Sequence, residues 1–273
     1  MFTSVFAAIC AVALCLATER LLLGNLPSPN SLHFFIAGCT LVVYNAHFLL
    51  RKPEPRESDR YRWTLKNRWL HWVSFVAGVV MTALSLPGLS KELLIWSIFL
   101  GILSFGYTFP VLPLPQAQRL REFGWVKILT LTSVWTITTS VLPMIYHHHS
   151  IAAYPVELSI RFIFLFVLCV AFDIRDMQTD LYRNIRTIPN RIGTERSYRL
   201  IYTGMVVFLG LSVWQYYRVE NLHHLLIACF VFLVSAGAMH LTRRHSSDRY
   251  FLGVIDGLML LYGGLVALFG HYV

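Results

Sequence analysis

The chain has 273 residues, 56% of them apolar and only 14% charged, with 23 Lys and Arg against 14 Asp and Glu for a net charge of +9. A soluble domain carries roughly a quarter charged residues, so this deficit, with repeated long apolar runs, excludes a soluble globular protein and points to a chain that crosses a membrane many times. The positive charge is concentrated in short loops, which accounts for it through topology and anionic lipid and leaves no need for a nucleic-acid partner.

Nine apolar runs are predicted to span, at about 2–18, 31–50, 69–89, 91–110, 124–145, 155–174, 197–217, 222–241 and 250–271. The fold class is therefore all-α, a polytopic bundle of about nine transmembrane helices. Polar stretches at 51–68 and 175–196 are too short for a soluble domain, so residues 1–273 read as one integral-membrane domain. The N-terminus is apolar from Met1, without a basic leader or a small-residue cleavage site, and reads as a retained span. The basic loops alternate. Residues 51–68 hold seven Lys and Arg, 110–127 three, 175–199 six and 241–249 three, which is nineteen of the 23. The positive-inside rule puts these loops and the N-terminus in the cytoplasm, as in a multi-pass protein of a bacterial-type inner membrane. Five cysteines lie inside apolar runs with no C-x-x-C spacing, and read as small packing residues rather than metal ligands or disulfides.

The chemistry-bearing residues gather at the basic ends of the spans. The second span closes on Tyr44-Asn45-Ala46-His47 and runs into Arg51-Lys52. The fourth closes on Tyr107, and the loop after it carries Arg121 and Lys127. The sixth ends in Phe172-Asp173-Ile174-Arg175-Asp176-Met177-Gln178-Thr179-Asp180 and continues to Arg186-Thr187 and Arg191-Ile192-Gly193. On a helix, positions i, i+3 and i+7 share a face, so Asp173, Asp176 and Asp180 should point one way. Three carboxylates together repel one another unless a cation joins them. Carboxylates for a metal beside Arg and Lys for an anion suit a diphosphate–magnesium complex, because Mg2+ takes one or two carboxylates plus phosphate oxygens and Arg and Lys bind phosphate directly.

This arrangement resembles the UbiA-type superfamily of intramembrane aromatic prenyltransferases. Arg175-Asp176-x-x-x-Asp180, with Arg186-Thr187 and Arg191-Ile192-Gly193 after it, is similar to that family's second Asp-rich motif. The region of Tyr107, Arg121 and Lys127 is similar to its third helix-to-loop element. The resemblance implies a Mg2+-dependent transfer of an isoprenoid chain from an allylic diphosphate to a lipophilic aromatic or quinone-precursor acceptor. It implies Asp176 and Asp180 as catalytic residues and Asp173, Asp176 and Asp180 as metal ligands. It also implies Asn45, Lys52, Tyr107, Arg121, Lys127, Arg175 and Arg186 as substrate-binding residues.

The pattern departs from the family at its first motif, which begins with Asn and continues with Asp. Asn45 matches the start, but Ala46, Leu49 and Pro53 stand at the carboxylate positions. Lys52, seven residues after Asn45, is one candidate to supply the missing charge, and Glu54, Glu57 or Asp59 reaching back is another. The alternative is a member of the fold that no longer transfers a prenyl group and binds isoprenoid or lipid, or supports a partner enzyme. Elsewhere, Asp256 between Gly253 and Gly257 reads as a helix-packing element. His147, His148 and His149 read as a solvated loop at the opposite end, and His47 and His71 as polar anchors near the basic mouth.

Overall fold

The computed structural model describes residues 4–50, 59–108, 124–182, 185 and 187–270. Every regular element among them is helical. The helices are α1 (Val5–Leu23), α2 (Ser31–Leu50), α3 (Asp59–Lys66), α4 (Arg68–Ser85) and α5 (Lys91–Thr108), followed by α6 (Gly124–Tyr146) and α7 (Pro155–Tyr182). After them come the short α8 (Ile188–Ile192), α9 (Thr194–Val219), α10 (Leu222–Leu241) and α11 (Asp248–Phe269). Eight of these are long and apolar enough to cross a membrane. The ninth expected span, 91–110, forms α5, an 18-residue helix with Lys91 and Glu92 in its first turn.

Local sequence explains the ends. Gly24 takes φ 72°, a left-handed conformation glycine adopts freely, and its N–H bonds the Arg20 carbonyl at 3.0 Å, which stops α1. Asn30 starts α2: its Oδ1 accepts from the Leu32 and His33 amides at 3.0 and 3.3 Å. His33 Nδ1 accepts in return from the Asn30 amide at 3.2 Å. This is a capping box with His in the place of Glu.

In a bilayer, helices associate through close packing rather than hydrophobic burial, and small residues mark the tightest crossings. A Cβ on Gly78 of α4 would lie 2.8 Å from the Gly38 carbonyl oxygen of α2, and one on Gly38 would lie 2.8 Å from the Gly78 oxygen. At Gly263 of α11 a Cβ would lie 2.7 Å from the Ala13 backbone of α1. The packing expected of Gly257 is therefore corrected: a Cβ there meets nothing within 4 Å, and the contact belongs to Gly263.

Two spans contain a wider π-helical turn, Ile137–Val141 in α6 and Phe251–Ile255 in α11. In the first, the Thr139 carbonyl faces α1 and accepts from Thr18 Oγ1 at 2.8 Å. Arg161 on α7 is fully buried beside it. Its guanidinium donates to the Leu14 carbonyl at 2.9 Å and lies 3.8 Å from Glu157, with the Tyr262 ring 5.3 Å away. A charge inside the bundle is thus neutralised and hydrogen-bonded, as a low-dielectric interior requires. By contrast α4 and α5 leave much of their apolar surface open, with Trp72, Val76, Val80, Ile95, Ile98 and Ile102 all exposed.

Candidate functional site at the basic end

The last three turns of α7 carry the aspartates, and the first turn of α6 meets them. Lys127 Nζ lies 2.8 Å from Asp173 Oδ1 and 2.7 Å from Asp180 Oδ2. All three side chains are nearly buried, at 13%, 5% and 6% exposure. The i, i+7 spacing on one helix thus forms a two-oxygen chelate around an ammonium. Asp173 Oδ2 is buried and has no hydrogen-bond partner, which makes it an orphaned acceptor inside the cluster. The Tyr107 hydroxyl is within electrostatic reach of Lys127.

Asp176 faces elsewhere. Arg175 Nε and Nη2 donate to its two oxygens at 2.8 and 3.1 Å, and its side chain is 39% exposed. Arg175 also lies 3.6 Å from Asp248 Oδ1 and stacks on the Phe172 and Phe251 rings at 4.9 and 5.1 Å. The guanidinium therefore ties α7 to the start of α11 while its planar face covers aromatic surface. The downstream segment folds back: Asn190 Nδ2 donates to the Ile185 carbonyl at 3.2 Å and the Met177 carbonyl at 3.4 Å.

Asn45 is fully buried. Its Nδ2 donates to the Leu41 carbonyl at 2.7 Å, and its Oδ1 bonds His71 Nδ1 of α4 at 2.7 Å. These bonds run to α2 and α4, not to the aspartates. His71, expected as an interfacial anchor, is instead a buried partner of Asn45. Of the remaining expected site residues, Lys52, Arg121 and Arg186 lie outside the described residues, as do Glu54, Glu57 and Pro53.

An apolar cavity of about 440 Å³ lies between α2, α4, α5 and α6. Ser104 and Phe105 line it within a turn of Tyr107 on α5, and Tyr44, Val79, Thr82, Gly101 and Trp135 form other parts of its wall. Tyr44 and Trp135 meet edge to face, 6.5 Å between ring centres. Sequence reading missed this cavity. Its only sequence trace is the run of small residues on α5, Ser97, Gly101 and Ser104, at helical spacing.

A second polar cluster lies at the opposite end. Glu19 of α1 is fully buried. One carboxylate oxygen bonds His33 Nε2, and the other bonds His147 Nε2 at 2.7 Å and Asn30 Nδ2 at 3.3 Å. His147 is therefore a helix-end clamp rather than a solvated loop residue. An acid inside an apolar run must be paired, so Glu19 was a readable signal; its partners were not.

Magnesium is the ion the sequence resemblance implies, and the donors present can be tested against it. Carboxylate oxygens are the right chemistry, and the orphaned Asp173 oxygen is an acceptor that an ion would satisfy. Asp176 remains half open. Asn45, however, is consumed by its own hydrogen bonds, and Ala46 and Leu49 offer no ligand. The residues fit one divalent ion and provide no carboxylates for a second among the described residues.

No known family profile matches the chain, and no curated protein matches it. Solved structures do. A UbiA homolog from Archaeoglobus fulgidus bound to GPP and Mg2+ superposes with a TM-score of 0.59 at 13% identity, over 98% of this chain and 99% of the other. The same homolog bound to DMAPP and Mg2+ gives 0.59 at 12% identity with the same coverage. Its Cd2+-bound form gives 0.58 at 12% identity. The fold of this chain is that of these UbiA homologs, a multi-pass helical membrane bundle, matched end to end.

Proposed function

We propose that the chain is a membrane-embedded prenyltransferase that takes an isoprenyl diphosphate and transfers its chain to a lipophilic aromatic or quinone-precursor acceptor. The observation that carries this reading is the apolar cavity whose wall runs to Tyr44 and Phe105, beside the end of the bundle where Lys127, Asp173, Asp176, Asp180 and Arg175 gather. A long apolar tail and a charged head need such a junction. The ligands of the A. fulgidus homolog, GPP and DMAPP with Mg2+, are of this kind.

In this reading the cavity holds the isoprenoid tail and keeps water from the allylic carbon. Tyr44 and Trp135 present ring faces and edges to a developing cation. Lys127 and Tyr107 face the diphosphate, and Arg175 offers its remaining N–H groups. A magnesium ion held at Asp173 and Asp180, which Asp176 would reach only by turning from Arg175, would supply positive charge that stabilises the leaving diphosphate. By the positive-inside rule this end faces the cytoplasm, the N-terminus is cytoplasmic, and the membrane is of the bacterial inner type. The partners are the isoprenyl diphosphate, the acceptor and membrane lipid, with no nucleic acid.

The test is product formation in proteoliposomes supplied with GPP, Mg2+ and a panel of aromatic acceptors. Activity lost in Asp176→Asn and Asp180→Asn is the expected result; product that persists in both overturns the assignment. A second reading, a member of the fold that binds isoprenoid without transferring it, is favoured by Ala46 and Leu49 where the resemblance implies carboxylates. Tight binding of a non-hydrolysable GPP analogue with no product from any acceptor would select it.

A further inference from the structure

We propose that Lys127 is a built-in cation that stands where a divalent ion would otherwise join Asp173 and Asp180, so that the site works with one divalent ion rather than two. The inference rests on the reading that this end of the bundle takes a diphosphate.

The geometry is that of a chelate. Two carboxylate oxygens from positions two turns apart on α7 converge on one ammonium at 2.8 and 2.7 Å. Lys127 belongs to a different helix, 53 residues from Asp180 in the chain. The three groups are nearly buried, so solvent does not screen the attraction, and removing Lys127 would leave two uncompensated carboxylates. An ammonium in this position already performs the task a metal would perform for this pair: it holds two like charges together.

Charge balance sets the number of ions. The Asp173–Asp180–Lys127 trio carries one negative charge, while Arg175 is shared between Asp176 and Asp248. The orphaned Asp173 Oδ2 marks where further positive charge is still wanted. A single divalent ion there turns the local charge from −1 to +1, enough to attract a diphosphate. Among the described residues of α2 a second ion finds no ligand, because Ala46 and Leu49 offer none and Asn45 is bonded to His71. Lys52, one candidate for the missing charge from sequence, lies outside the described residues; Lys127 is placed to supply it.

The experiment counts ions. Mn2+ is titrated into the purified full chain with saturating inorganic diphosphate, and bound Mn2+ is measured by electron paramagnetic resonance. One ion per chain is expected for the wild type and for Lys127→Arg, and two for Lys127→Gln, where the Asp173–Asp180 pair is uncovered. Two ions in the wild type overturn the proposal, even where Lys127→Gln fails to fold. A count of zero in the wild type, or of one in folded Lys127→Gln, overturns it as well. Binding of a non-hydrolysable GPP analogue is measured on the same samples. Its absence would sink the prenyl-diphosphate reading while the Mn2+ count still decides the role of Lys127.

Discussion

Replacing Gly78 with alanine tests whether the α2–α4 contact holds this half of the bundle together. The new Cβ would sit 2.8 Å from the Gly38 carbonyl oxygen, 2.8 Å from Leu41 Cβ and 3.1 Å from the Val42 nitrogen. Two of these neighbours are backbone, so no rotamer change relieves them. Carbon contacts relax at about 3.5 Å, so the helices must part by about 0.7 Å. Overpacking of this size costs about 1–3 kcal/mol. It also moves Val79 and Thr82, which line the cavity. Gly257→Ala is the matched control, since its Cβ meets nothing within 4 Å and a helical Gly→Ala change gains up to about 1 kcal/mol. The assay is thermal unfolding in detergent, where each kcal/mol shifts Tm by roughly 2–4 °C in chains somewhat shorter than this one. Gly78→Ala should melt several degrees below Gly257→Ala. Equal melting temperatures for the two variants would refute the close-packing argument.

Three further outcomes are expected. Gly101→Phe fills open space in the cavity wall; it should weaken binding of a GPP analogue by about tenfold or more (about 1.4 kcal/mol) with little change in Tm. Glu19→Ala strips the acceptor from His33, His147 and Asn30 and should destabilise by about 2–4 kcal/mol, read as a large fall in Tm. Asp180→Asn removes a buried partner of Lys127, whereas Asp176→Asn removes a partly exposed partner of Arg175. The first should lower Tm clearly and the second by the small amount typical of surface pairs, about 0–1 kcal/mol; the reverse order would contradict the burial seen here.

Hydropathy made the spans legible, because a helix in lipid must satisfy its backbone internally and cover about twenty residues with apolar side chains. Helical periodicity made the aspartate face legible too, in part: Asp173 and Asp180 do converge, while Asp176 is turned aside by its neighbour Arg175. Periodicity says which residues of one helix share a face. It does not say which other helix comes to meet them. The pairing of Lys127 with the aspartates and of Asn45 with His71 has no trace in the spacing of either residue. The Glu19–His147 bond joins residues 128 positions apart, a separation with no local signature. The tight glycine of α11 is Gly263 rather than Gly257 because α1 crosses α11 there, a fact of tertiary geometry alone.

The π-helical turn at Ile137–Val141 holds one residue more than an α-helical turn would. Each residue advances an α-helix by about 100°. A single deletion within 137–141 would let the turn tighten to an α-helical one while Leu142 and His147 kept their facing, whereas a deletion in the regular part of α6 would swing everything after it by about that angle, carrying His147 away from Glu19. The span would keep its hydropathy and nearly its length. Reading frame in this protein thus has a second meaning, angular rather than genetic, and the π turn of α6 is where one residue more or less is absorbed without turning the rest of the helix.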